Sequence, residues 1–402
     1  MKKQLLIIGG GFAGFWSAIS AIRQSREIQK RGEVEITLVN PHNRITMRPK
    51  LNELSFEGLR FELDKYLKPL GIHQIIGRAE IINPETNEVV VSTASGIRNL
   101  NYDYLILAAG ASLKVSNLPG IDHTFNVDSC DNAQRLEDHI LELANKGFSD
   151  EGASTFVVAG SEITGLETVI GIEQKARAIQ AYSSGSKSDF RIVLLKSGNQ
   201  GASQFSKECE EYIRYVTASK NIEVISNGEL TVIGPSSVLL NDGTRISTRT
   251  VILTERIVAS FLTHFFKGAK DDLNRVTVNQ FLKLPGYNNV MAAGNVVHAS
   301  GDIVHSSLMD RQYAQFEGRW AGHNAINDLF NVPLKEYVQP DYMPCVDLGE
   351  PQIPYANDWE RAIQKRRYKE RAAEKHMNLA TMYPWLDVEE TVKVSYPEVP
   401  KF

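Results

Sequence analysis

Cysteine is scarce in this sequence. Cys130, Cys209 and Cys345 are the only three among 402 residues, widely separated and without a Cys-x-x-Cys. That spacing excludes a local redox-active disulfide of the thioredoxin kind and argues against a disulfide framework. No set of Cys and His has zinc spacing, so no metal is expected. An excess of one charge is also lacking: 44 Lys and Arg stand against 48 Asp and Glu, a net −4. Such a balance offers no electrostatic footprint for nucleic acid. No apolar run approaches the roughly 20 residues needed to span a bilayer. Met1–Gln4 leads directly into an apolar run, leaving no room for a cleavable signal, which points to a cytoplasmic protein. What remains, 42% hydrophobic and 23% charged residues, is a globular composition long enough for two or three domains.

The apolar stretch Leu5-Leu6-Ile7-Ile8 reads as a buried parallel strand, and it runs straight into Gly9-x-Gly11-x-x-Gly14. Helix-compatible residues follow from Phe15 to Ile22. In a strand–turn–helix of this kind the first glycine allows a tight turn and the second lets a pyrophosphate approach the backbone. The third lets helix and strand pack closely, while free N–H groups and the helix dipole hold the phosphates. Gly9, Gly11, Phe12, Ala13 and Gly14 are therefore candidate cofactor residues. Val34–Asn40 reads as the second strand, and Asn40 stands where an acid normally accepts the ribose hydroxyls; its amide oxygen accepts without charge. Strands are also expected over Ile72–Ile82, which carries the candidate Ala79, and Glu88–Ser92. Two more, Tyr102–Gly110 and Asn289–Asn295, end on small residues that permit close ligand approach at Ala109, Gly110, Gly294 and Asn295.

A second strand–turn–helix opens at Thr155 and carries Gly160-x-Glu162-x-x-Gly165-x-Glu167; Arg191–Lys196 is its second strand. Asn241-Asp242-Gly243 reads as a hairpin turn. Ser306–Phe330 reads as a long helix whose Ala314, Gly318, Ala321 and Gly322 suit close packing. Val338–Leu348 and Tyr355 are expected in strands, and Asp358–Lys375 as a charged, solvated helix. The fold class is thus α/β, two Rossmann-like dinucleotide-binding domains in tandem with a C-terminal α+β segment.

This order of motifs resembles the two-dinucleotide-binding-domain flavoproteins of the pyridine nucleotide–disulfide oxidoreductase superfamily, and within it the type II NADH dehydrogenases. The resemblance rests on the first glycine turn, Arg48-Pro49-Lys50-Leu51-Asn52-Glu53, Leu107–Gly110, the second glycine turn, Ala292–Asn295, Ala314–Asn324, Cys345–Gly349 and the stretch from Met377 to Pro384. It implies a discontinuous FAD domain over 1–112 and 277–330, an NAD(P)-binding-like domain over 113–276, and a C-terminal interface or capping domain over 331–402. Arg48 and Pro49 would lie along the flavin, Gly110 near the adenine nucleotide, and Asn295, where relatives have Asp, near the ribityl chain. The resemblance further implies NAD(P)H in the second fold, a quinone among the acceptors, peripheral contact with a membrane and a homodimer.

The nicotinamide side departs from the family pattern. Glu162 replaces the second glycine, and a carboxylate a few ångströms from phosphate costs on the order of 1–4 kcal/mol. Lys196 replaces the acid that selects NADH and is compatible with a 2′-phosphate; Glu255 and Arg256 stand where relatives have small residues. Glu167 would face the flavin as a proton relay, since a carboxylate in a dry pocket has a raised pKa. Three functions fit: an FAD-dependent NAD(P)H:acceptor oxidoreductase with a degenerate nicotinamide site, a flavin oxidase or dehydrogenase of a charged metabolite held by Glu162, Glu255 and Arg256, or a flavin-binding partner without turnover.

Overall fold

A computed structural model describes residues 1–46, 51, 60–113, 118–160, 163–182, 189–196, 207–254, 257–299, 309, 311–338, 353–356, 363–366 and 387–398. The chain starts with β1 (Lys3–Ile8), whose last four residues are buried, and turns through the glycine loop into α1 (Phe12–Glu27). Strands β2 (Val34–Asn40), β3 (His73–Asn83), β4 (Glu88–Thr93), β5 (Gly96–Asn101) and β6 (Tyr104–Leu107) follow. The chain then leaves this sheet and builds a second one from β7 (Thr124–Phe125), β8 (Thr155–Ala159), β9 (Arg191–Lys196), β10 (Ile222–Ser226) and β11 (Thr250–Leu253). It returns to the first sheet with β12 (Val290–Ala292).

The first sheet runs β12-β6-β1-β2-β3-β4-β5. The pairs from β12 to β3 are parallel, and β3-β4-β5 is an antiparallel meander. The second sheet runs β7-β11-β8-β9-β10 and is parallel throughout. Each is the doubly wound arrangement that the two glycine turns called for, because a parallel strand needs a crossover, here a helix, to return. The hairpin expected at Asn241–Gly243 joins Ser237–Leu240 to Arg245–Ser247. Between the sheets the chain crosses twice, and the crossing segments Ala111–Leu113 and Ile257–Ala259 pair antiparallel.

The helix expected over Ser306–Phe330 is seen as Arg311–Leu329. It lies against α1 closely enough that a Cβ on Gly318 would stand 2.4 Å from Ala13 O, and one on Gly322 2.1 Å from Ser17 O. Spacing of four puts both glycines on one helix face, which is how the stripe of small residues brings the two backbones together. At the far end Asp328 Oδ2 accepts the Tyr104 hydroxyl and the Lys283 ammonium, each at 2.6 Å, tying helix, β6 and turn. Burial and this carboxylate push the Tyr104 phenol far up. Asp328→Ala leaves a buried hydroxyl and a half-buried ammonium without their acceptor, so a loss of about 2–3 kcal/mol is expected in urea denaturation, against about 1 for Asp328→Asn.

The charged helix expected over Asp358–Lys375 is corrected in its central part: Ile363–Arg366 is a strand, antiparallel to Ile353–Ala356. Helix propensity is a weak prior, and pairing with a second strand overrides it. Val338 is described but in no strand, and Val388–Lys393 forms a short helix that the sequence reading passed over. No helix among the described residues is long and apolar enough to cross a membrane.

Candidate functional site

Four strand ends of the first sheet converge on the glycine turn. Gly9 has φ +106°, and a Cβ there would stand 2.2 Å from Ala108 O. Gly14 packs so that a Cβ would meet Gly9 O at 1.8 Å. These two are steric requirements of strand, turn and helix. Gly11 is different: its backbone is extended, and among the described residues, its own chain neighbours aside, nothing lies within 4 Å of the Cβ position. It is the N-cap of α1, no side chain caps the helix there, and the first turn holds no acid. The protein thus leaves an open approach to the positive end of a buried helix, which fits the pyrophosphate of a dinucleotide.

Asn40 ends β2 and has a part that the sequence reading missed. Its Oδ1 accepts the Gly10 N–H at 2.8 Å and its Nδ2 donates to His42 O at 2.7 Å, so it clamps the glycine turn. An amide serves both bonds, whereas an aspartate would set a second oxygen against the His42 carbonyl. Ala109 and Gly110 follow β6 and are half-buried; Gly110 has φ +69° and open space at its Cβ position. Gly294, φ +79°, follows β12 and approaches α1 so closely that a Cβ would lie 2.8 Å from that of Ala13. Its N–H donates at 2.6 Å to Glu317, a carboxylate that is 1% exposed. Asn295, next in the chain, is half-buried.

Phe12 opens α1 directly after Gly11, and its ring packs between the first core and the small cluster of Leu51, Cys130 and Ala133. Ala79 is buried in the meander opposite Val91, three residues beyond Ile76, the partner of Asn40. Arg48, Pro49, Glu162, Glu255 and Arg256 lie outside the described residues.

On the second sheet Gly160 and Gly165 form the corresponding turn. A Cβ on Gly160 would stand 1.8 Å from Thr254 Oγ1, and one on Gly165 2.3 Å from Gly160 O. Thr254 donates through both N–H and hydroxyl to Ala159 O, joining β8 to the end of β11. Lys196 is half-buried at the end of β9, and Glu167 is half-buried on the helix Ile163–Tyr182. Glu167 comes in the second turn of that helix, which runs from Ile163. An offset of the helix dipole, which fades beyond the first turn, is therefore a weak account of it.

A family model described as pyridine nucleotide-disulphide oxidoreductase matches residues 3–318. An NADH dehydrogenase-like protein of Mycobacterium tuberculosis is 30% identical over 386 residues, 96% of this chain and 95% of that protein. A type II NADH:quinone oxidoreductase of Haemophilus influenzae is 21% identical over 388 residues, 86% of this chain and 85% of that one. Among solved structures, NDH2 from Plasmodium falciparum in complex with NADH matches with a TM-score of 0.78 at 15% identity, covering 98% of each chain. The sulfide:quinone oxidoreductase of Aquifex aeolicus matches with a TM-score of 0.69 at 19% identity, covering 94% of this chain and 91% of the other. At these identities the two structures carry the fold alone.

Proposed function

This chain belongs to the pyridine nucleotide–disulphide oxidoreductase family and is a flavin enzyme with FAD as its cofactor; from that premise we propose that it takes electrons from a reduced nicotinamide and passes them to a quinone-type acceptor. FAD supplies a two-electron carrier between a donor and an acceptor that need not meet. The observation that supports its place in the first sheet is the open Gly11 at the uncapped end of α1. We assign Gly9, Gly11, Ala13, Gly14, Asn40, Ala109, Gly110, Gly294 and Asn295 to that site, with the FAD domain over 1–112 and 277–330.

The donor side is assigned to 113–276, around Gly160, Gly165 and Lys196. Glu167, half-buried on the helix that follows this turn, is assigned to proton handling on that side. The similarity to NADH dehydrogenases favours a nicotinamide donor. A second reading rests on Glu162 at the position where phosphate should approach: the same cleft would take a charged metabolite instead.

Anaerobic stopped-flow at the flavin band separates them. Bleaching by NADH or NADPH is expected, with Glu167→Gln slowing turnover and flattening its pH profile. A flavin that photoreduces but ignores both nicotinamides would sink the nicotinamide donor and leave the metabolite reading. A purified protein without bound flavin would sink both.

A further inference from the structure

Asp271 sits on a short turn between the two backbones that carry Gly110 and Asn295. On one side Ser260 N–H donates to Gly110 O at 2.9 Å, and Ala259 N–H to Leu273 O at 2.8 Å. On the other, Val276 N–H donates to Val296 O at 2.8 Å, one residue past Asn295. The turn is thus held at the carboxyl ends of the first sheet, the side on which open α/β sheets bind ligands.

The Asp271 carboxylate is fully engaged. Oδ1 accepts the N–H groups of Leu273, at 3.1 Å, and Arg275, at 2.9 Å. Oδ2 accepts Arg275 Nε at 2.6 Å and His298 Nδ1 at 3.2 Å. Burial opposes its ionisation, but the bonds from Arg275 and His298 outweigh that and hold the carboxyl below its ordinary range. Arg275 Nη2 stands 3.5 Å from the same His298 nitrogen, at the limit of a hydrogen bond. The partner at Nδ1 is therefore the carboxylate, which fixes the proton there and leaves Nε2 as the reactive nitrogen. Nε2 has no hydrogen-bond partner among the described residues, and the His298 side chain is 31% exposed. Thr277 is its partner on the adjoining strand, and Asp271 and Arg275 are the charged side chains within hydrogen-bond reach of it among the described residues.

We propose that His298, oriented by Asp271, is the general acid that protonates the acceptor on this rim of the cofactor site. This rests on the quinone-type acceptor proposed above. Reducing a quinone to a hydroquinone takes two electrons and two protons. Bound FAD would supply the electron pair and one proton as a hydride equivalent; His298 Nε2 gives the second proton to a quinone oxygen, and the imidazole regains it from water. An Asp–His pair serves this because the carboxylate stabilises the imidazolium while leaving one nitrogen to act.

The test uses the holoprotein, photoreduced without oxygen, then mixed with a water-soluble benzoquinone or with ferricyanide. Ferricyanide takes electrons one at a time and needs no proton from the protein. His298→Gln is expected to lower the ratio of quinone to ferricyanide reoxidation rates at least tenfold and to remove the pH dependence of that ratio. Independently of turnover, the ¹⁵N resonance of wild-type His298 Nε2 should shift when the hydroquinone product is added, and Asp271→Asn should change the tautomer. An unchanged ratio, or a resonance indifferent to hydroquinone, overturns the assignment. A wild-type flavin that ferricyanide reoxidises and benzoquinone does not overturns the acceptor reading itself, and the assignment with it.

Discussion

Replacing Gly11 by alanine is expected to give a folded protein that has lost its flavin. The backbone there is extended, with φ −74° and ψ −167°, so an alanine adopts it freely. Among the described residues, its chain neighbours aside, no atom lies within 4 Å of the added Cβ. Ala is a poorer N-cap than Gly, which costs less than about 1 kcal/mol. The methyl would instead occupy the path of the pyrophosphate. Losing one or two charge-assisted bonds to phosphate, at about 1.5–3 kcal/mol each, predicts a fall in FAD affinity of roughly tenfold to a thousandfold or more. Gly14→Ala should behave in the opposite way. Its Cβ would overlap Gly9 O at 1.8 Å, so turn and helix must separate, and overpacking of that sort costs about 1–3 kcal/mol or more. Circular dichroism and flavin retention on a desalting column distinguish the two. A Gly11→Ala protein that keeps its flavin with wild-type affinity would mean that the cofactor lies elsewhere.

The contrast shows why the first site was legible in the sequence. Gly9, Gly11 and Gly14 meet requirements set within a few residues, and such requirements leave a fixed spacing. Gly318 and Gly322 were legible for a related reason: a four-residue repeat of small side chains marks a helix face, although not the helix it meets. Contacts between distant segments left no such mark. Glu317 reaches Gly294 N–H, and Asp271 reaches His298, across spacings that no motif encodes. Asn40 was noticed for its place at the strand end, which is visible in the sequence, whereas its bond to Gly10 is not. The segment Ile363–Arg366 misled through composition, its Lys and Arg suggesting a solvated helix while its backbone pairs with Ile353–Ala356. The helix Val388–Lys393 did carry a signal: Asp387 Oδ1 accepts the Glu390 N–H at 2.8 Å, an Asp-x-x-Glu start that could have been read.

Stability should fall as the pH drops from about 6.5 toward 4, and one buried histidine should account for much of it. His323, 7% exposed, lies in the polar seam between α1 and the helix Arg311–Leu329. Its Nδ1 stands 2.8 Å from Arg23 Nη2, and its Nε2 is 3.2 Å from Asn327 Nδ2. Gln24 Nε2 donates to Asn327 Oδ1 at 2.6 Å, extending the seam. From the C-terminal side Tyr396 lies beneath both Arg23 and Lys335, whose charged ends are 4.9 and 4.2 Å from its ring centre. Burial, then the charges of Arg23 and Lys335, push the imidazole down to about 4. Since Arg23 can only donate, Nδ1 must accept, and a protonated ring would turn that bond into a repulsion. An unfolded histidine titrates near 6.5, so between these values the unfolded chain binds more protons than the folded one. Folding stability then rises with pH through this window, is fully present above about 6.5, and is lost on acidification by up to about 3 kcal/mol. Below about 4 both states are protonated and this contribution is flat. His323→Gln keeps an acceptor for Arg23 without a titrating group, so the difference between the two proteins isolates the histidine from the carboxylates. Urea denaturation at steps from pH 7.5 to 4.5 should show the wild type losing the larger share, with the variant gaining relative to it by roughly 2–3 kcal/mol at the acid end. Parallel curves would mean that the seam tolerates a charged His323, and that Arg23 moves away when the ring takes its proton.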